Sequence, residues 1–230
     1  MTDRSTIRAV TFDAGGTLIH WFAFTPDRFG KICRLAGIEV PEARFKAAAR
    51  ACAQYYQESP PPADGPATKA WWRGLNGCGL RAAGVRGDLE ALADRVQATA
   101  GTLGPGYVLD PDVPGVLEAL TDRGLALAVV SNWDGDLAER LRALGIAHHF
   151  RFIADSAVIG VRKPEPGIYY TTCAALGIPP EQCLHVGDRP DADGGVARAV
   201  GATPVIYDPL DCWNGEGLRV SRLMDVLRLV

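Results

Sequence analysis

Five short stretches of the chain are almost wholly apolar, and each stops at polar or turn-forming residues. They cover residues 7–12, 125–130, 150–154, 184–186 and 203–207. They end at Asp13, Ser131 with Asn132, Asp155 with Ser156, Gly187 with Asp188, and Asp208 with Pro209. A run with no polar alternation is what a strand covered on both faces requires. Between these runs the apolar residues recur at helical spacing. Residues 113–123 line up Val116, Leu117 and Leu120, and residues 136–144 line up Leu137, Leu141 and Leu144. Residues 165–176 and 193–200 repeat the pattern. Gly124, Gly145, Gly177 and Gly201 follow these four segments, where a left-handed residue closes a helix. Strands alternating with helices of this length predict an α/β fold with a parallel sheet and helices on both faces.

Residues 20–107 break the alternation. Four helical segments are predicted, over 26–37, 41–57, 71–80 and 87–102, with a rigid interruption at Ser59 and the three prolines that follow it. A helical module inserted after the first strand accounts for this stretch. The chain would return to the sheet through Gly104, Pro105 and Gly106. The expected division is therefore a Rossmann-like, doubly wound core from residues 1–19 and 108–230, and a helical insertion from 20–107.

Composition narrows the function without choosing it. Hydrophobic residues make up 47% and charged residues 22%, enough apolar surface to build a core. A net charge of −3 gives no general attraction for nucleic acid or anionic lipid. No apolar run is long enough to span a bilayer, and none follows the first charged residues as a secretory leader would. The six cysteines, at positions 33, 52, 78, 173, 183 and 212, show no paired metal-binding spacing. Reduced, structural thiols in a cytoplasmic protein are the expectation, with no nucleic-acid or membrane partner.

Open parallel sheets bind ligands at the carboxyl ends of their strands. The polar residues predicted there are Asp13, Thr17, Ser131, Asn132 and Asp188, with Lys163 in the loop before a helix. A carboxylate nucleophile, hydroxyl and amide donors, a cation and further carboxylates are the parts of a metal-assisted phosphoryl-transfer site. Each part has a plain alternative. Asp13 suits a turn, Ser131 and Asn132 a helix cap, and Lys163 a solvated surface. Thr17 suits a cap as well as it suits a site.

Taken together, Asp13-Ala14-Gly15-Gly16-Thr17-Leu18, Ser131-Asn132, Lys163-Pro164 and Gly187-Asp188 with Asp193 resemble, in order and context, the four motifs of the haloacid dehalogenase-like hydrolases. The resemblance spans the chain and implies that residues 20–107 are the family's helical cap. It implies that Asp13 is a nucleophile forming an aspartyl-phosphate. It implies that Lys163 neutralises charge, and that Ser131, Asn132, Thr17 and Gly16 border the phosphate of a small phosphorylated substrate. Asp13, the Gly15 carbonyl, Asp188 and Asp193 would hold Mg²⁺, with Asp193 direct or water-linked.

Position 15 departs from the pattern. Family phosphatases carry an acid/base Asp there, and Gly15 has no side chain. A glycine keeps the carbonyl that would face the metal but loses a proton donor worth about 10²- to 10⁴-fold in rate. The expected enzyme handles good leaving groups, such as aryl or acyl phosphates, better than alkyl ones. A metal-independent 2-haloacid dehalogenase, a phosphonate hydrolase and a catalytically weak phosphometabolite- or partner-binding protein stand as alternatives. His20, just beyond the first motif, is the histidine to watch as a substitute acid/base, while His185, inside a strand, reads as a core residue. Trp71 and Trp72 read as core, and Trp133 and Asp134 as neighbours of the site. Monomer and homodimer are equally compatible with the sequence.

Overall fold

A computed structural model describes residues 7–21, 25–59, 65–102 and 107–230. Residues 1–6, on which the expectation of no secretory leader rests, lie outside it. So do the prolines at 60–62, the predicted return at 104–106, and part of each connection between sheet and insertion.

In chain order the elements are β1 (Ala9–Phe12), β2 (Ile19–Trp21), α1 (Pro26–Leu35), α2 (Phe45–Glu58), α3 (Gly65–Ala82) and α4 (Leu89–Gly101). They continue with β3 (Tyr107–Leu109), α5 (Val113–Asp122), β4 (Ala126–Ser131), α6 (Leu137–Ala143), β5 (Phe152–Asp155), α7 (Ser156–Ile159) and α8 (Gly167–Leu176). The last are β6 (Cys183–Gly187), α9 (Asp193–Val200), β7 (Thr203–Tyr207) and β8 (Leu218–Val220), followed by a 3₁₀ segment, Leu223–Arg228. All five predicted strands form. The sixth, β8, escapes a pattern search because it has only three residues and one of them, Arg219, is charged. The helix predicted from 136 begins at Leu137, and the one predicted from 165 begins at Gly167. Gly124, Gly145, Gly177 and Gly201 all take positive φ, as helix-closing residues do.

The chain divides into two compact units, Met1–Ile19 with Leu109–Pro209 and Trp213–Val230, and His20–Val108 with Leu210–Cys212. The first holds a six-stranded sheet in the order β5-β4-β1-β6-β7-β8. Every pairing in it is parallel. β4 shows how the sequence serves two faces. Ala126, Ala128 and Val130 join one buried cluster with Ile168, Tyr169, Val196 and Val200 from α8 and α9. Leu127 and Val129 point the other way and are also buried. Burying a Leu or Val on either face contributes about 1.5–3 kcal/mol. β1 is central, and the chain builds β4 and β5 on one side of it before crossing to β6 on the other. The strand ends bearing Asp13, Ser131 and Gly187 are therefore neighbours, and Asp188 follows directly.

The second unit is helical. Its core joins Phe29, Ile32, Phe45, Cys52, Trp71 and Leu75. Trp71 packs edge-on to Trp72 with centroids 4.8 Å apart; Trp71 is core, and Trp72 packs against that core half-buried. Arg73 donates two hydrogen bonds to Asp94, tying α3 to α4. All six cysteines are free thiols.

Candidate active site

Asp13 ends β1, and its backbone N–H donates to the Val186 carbonyl at 2.8 Å. The next residues turn tightly. The Ala14 carbonyl accepts from Leu18 and Ile19 N–H, each at 2.9 Å, and Gly16 N–H donates to the Ile19 carbonyl at 2.8 Å. Gly16 has φ +88°, and a β-carbon there would lie 2.3 Å from Asp188 Oδ2. Only glycine meets both demands. Thr17 is fully buried, and its hydroxyl has no hydrogen-bond partner among the described residues.

Lys163 is brought to this turn from the far side of the sequence. Its Nζ donates to Asp13 Oδ1 at 2.6 Å and to Asp193 Oδ1 at 2.5 Å, with the side chain almost wholly buried. The loop that carries it is held by Asn132. Lys163 N–H donates to Asn132 Oδ1 at 2.8 Å, and Asn132 Nδ2 donates to the Lys163 carbonyl at 3.0 Å. The Asn132 side chain thus spends its oxygen and one amide hydrogen on the backbone of the lysine. Ser131, at the end of β4, hydrogen-bonds the Asp13 carboxylate.

One oxygen each from Asp13, Asp188 and Asp193 falls within 4.8 Å of the others. Asp193 has both oxygens engaged, since Oδ2 accepts from Arg189 N–H at 2.9 Å while Oδ1 meets Lys163. Gly187 is the close-approach partner here, because a β-carbon on it would lie 2.2 Å from Asp193 Cγ. Arg189 and Asp191 pair with each other, and Asp191 is largely exposed, as expected for a residue outside the site.

Charge explains the titration of the cluster. Burial pushes the Asp13 carboxyl up, and the nearby Lys163 only partly offsets it. Asp188 is raised well above the ordinary carboxylate range by burial and then by repulsion from Asp13 and Asp193. Asp193 goes the other way, because Lys163 and His185 outweigh its burial. The Lys163 ammonium is likewise held above its usual value, since Asp13 and Asp193 outweigh the cost of burying it. Three carboxylates facing one ammonium leave an excess of negative charge. A hard divalent cation answers that excess, and an all-oxygen donor set with a side-chain-free glycine beside it suits Mg²⁺.

Three residues lie beneath the site, of which Thr11 and Tyr169 were missed by sequence reasoning and His185 was read only as core. Thr11 and His185 are partners across β1 and β6. The Thr11 hydroxyl is 2.9 Å from His185 Nδ1 and 2.9 Å from the Tyr169 hydroxyl. His185 Nε2 lies 3.4 Å from Asp193 Oδ1. His185 is the core residue its strand context implies, yet it backs the aspartate that grips Lys163. A polar residue inside an otherwise apolar strand was the available signal. His20 is buried in the helical unit. Trp133 is also closely placed, since a β-carbon on Gly15 would lie 3.3 Å from its Cζ3.

The chain matches the model of a hydrolase family, the haloacid dehalogenase-like hydrolases, over residues 7–201. It is 37% identical over 125 residues to a phosphoserine phosphatase of Thermus thermophilus, an alignment covering 52% of this chain and 50% of that one. It is 29% identical over 220 residues to haloacid dehalogenase-like hydrolase domain-containing protein 3 of Bos taurus, covering 92% of this chain and 87% of the relative. The chain thus spans half the length of the first of these relatives and most of the second. Its fold is similar to the crystal structure of a HAD phosphatase from Thermococcus onnurineus, with a TM-score of 0.59 and 22% identity over 97% of each chain.

Proposed function

The chain belongs to the haloacid dehalogenase-like hydrolases, and from that premise we propose that it is a Mg²⁺-dependent phosphatase of a small phosphorylated metabolite, working through an aspartyl-phosphate on Asp13. The observation that carries this reading is the buried contact from Lys163 Nζ to Asp13 Oδ1, beside two further carboxylates. An anion can attack a phosphate dianion only where cations cancel the repulsion. Lys163 supplies one positive charge at the nucleophile. Asp13, Asp188 and the Gly15 carbonyl would hold the metal, and Asp193, whose oxygens already serve Lys163 and Arg189, would reach it through water. When bound, the ion supplies charge that favours phosphoryl transfer at neutral pH.

The residues then divide the work. Asp13 attacks phosphorus, the bond from phosphorus to the leaving oxygen breaks, and the electron pair departs with that oxygen. Water next attacks the phosphorus of the aspartyl-phosphate, releasing inorganic phosphate and restoring Asp13. Lys163 and Ser131 steady the phosphoryl oxygens, and the tight turn at Gly16 borders them. Thr17, whose hydroxyl has no partner among the described residues, is assigned to the border of the phosphate site. Asn132 acts through the Lys163 backbone. Position 15 provides no proton in either step, so leaving groups that are stable as anions react fastest. The relative named as a phosphoserine phosphatase supports the substrate class. The helical module, residues 20–107, is assigned the role of the family's cap and the choice of substrate.

Hydrolysis of p-nitrophenyl phosphate tests the proposal. Turnover should require Mg²⁺ and disappear in Asp13→Asn. Phosphate release that survives in Asp13→Asn, or a folded wild type that is inert with Mg²⁺ toward a broad set of phosphomonoesters, would overturn it. Release of chloride from 2-chloropropionate in EDTA would point instead to carbon–halogen hydrolysis.

A further inference from the structure

We propose that Trp133 is the specificity-determining wall on the leaving-group side of this site, and that it selects phosphorylated compounds whose leaving group is planar and apolar. The inference rests on the phosphatase reading and deepens it. Its starting point is the space beside Gly15. A β-carbon on that residue would stand 3.3 Å from Cζ3 of the Trp133 ring, closer than ordinary van der Waals contact. The six-membered edge of the indole therefore borders the volume into which any side chain at position 15 would project.

The ring cannot readily yield that volume. Its Nε1 donates to Asp136 Oδ1 at 2.7 Å, and the Arg140 guanidinium lies 6.0 Å from the ring centroid while also bonding Asp136. Its backbone is pinned from the other side. Trp133 N–H donates to Ser156 Oγ at 3.0 Å, and the Ser156 hydroxyl donates to the Trp133 carbonyl at 3.1 Å. Ser131 and Asn132, the two residues before it, serve Asp13 and Lys163, so the indole is fixed to the same loop as the catalytic groups. Trp133 as a whole is half-buried.

Two consequences follow from one placement. Position 15 carries no proton donor, and a side chain there would press on the indole, so the leaving oxygen departs as an anion. Aryl, enol and acyl oxygens tolerate that, because their charge is delocalised. The groups that delocalise charge in this way are flat, and a flat apolar group gains by lying against an aromatic surface. The missing proton and the indole thus favour the same class of compound.

Binding separates this idea from the chemistry. Benzylphosphonate and propylphosphonate, which cannot be hydrolysed through a phosphorus–oxygen ester bond, would be titrated calorimetrically into Mg²⁺-loaded protein. Wild type should bind benzylphosphonate roughly 3- to 10-fold more tightly, the range of an aromatic contact. Trp133→Ala should lose that preference while keeping its affinity for propylphosphonate within about twofold. Trp133→Leu, which retains more bulk, should behave the same way and serves if the alanine variant does not fold. In turnover, Gly15→Asp alone should raise propyl phosphate hydrolysis less than Gly15→Asp combined with Trp133→Ala. Gly15→Asp with Trp133→Ala should raise it by at least roughly 10-fold, part of what an acid/base can supply. Equal affinity of wild type for the two phosphonates, a preference that survives loss of the indole, or full rescue by Gly15→Asp alone would overturn the proposal. Binding of neither phosphonate would instead overturn the phosphatase reading and this one with it.

Discussion

Lys163→Met removes the one ammonium that the structure buries among three carboxylates. At 2.6 Å and an effective dielectric near 20, each contact from Nζ to a carboxylate oxygen represents about 6 kcal/mol of attraction. Burying the ions cancels much of this, and removing one partner of a buried pair costs about 3–5 kcal/mol net. Methionine keeps the length and apolar stem of lysine, so the loss is one of charge rather than of volume. Urea unfolding in EDTA, followed by circular dichroism, should show that loss in full. Mg²⁺ should stabilise the variant more than it stabilises wild type, because the variant's excess of negative charge is larger. Adding Asp193→Asn should restore part of the loss. The double variant would then be more stable than the sum of the single changes, with a coupling of roughly 0.5–3 kcal/mol. Phosphate release should be abolished throughout. A Lys163→Met protein within about 0.5 kcal/mol of wild type in EDTA, the range of an ordinary surface substitution, would refute the electrostatic account. So would strict additivity with Asp193→Asn.

Gly16→Ala should cost about 1–3 kcal/mol and weaken Mg²⁺ binding measurably by calorimetry, because its φ is +88° and its β-carbon would strike Asp188. Burial raises the Cys33 thiol to about 11 and the Cys52 thiol to about 12, against 9.0 for an ordinary cysteine. The folded protein therefore holds more protons than the unfolded chain above pH 9, and stability should fall as pH rises from 9 toward 11. Cys33→Ala with Cys52→Ala should flatten that slope in urea titrations, and an unchanged slope would show that these thiols do not set it.

The strand-and-helix alternation was legible in the sequence because a strand buried on both faces must be apolar throughout, and residues 125–130 and 203–207 admit no other reading at that length. Helix ends were legible at Gly145 and Gly177 for a local reason, the left-handed φ that a β-carbon resists. The same logic missed β8, whose three residues, one of them Arg219, hold too little pattern to register. Asp13, Lys163, Asp188 and Asp193 could be picked out by motif resemblance, since each sits at a strand end or in the approach to a helix.

Local sequence determined which residues would stand at the ends of strands and that position 15 would carry no acid. Only the tertiary structure decided what those residues meet. The grip of Asn132 on the Lys163 backbone, the backing of Asp193 by His185 and the approach of Trp133 to Gly15 join positions 31, 8 and 118 residues apart. Such contacts depend on strand order and on which face of a strand or loop turns inward, and these are set by packing across the whole sheet. Periodicity along one segment carries no record of them.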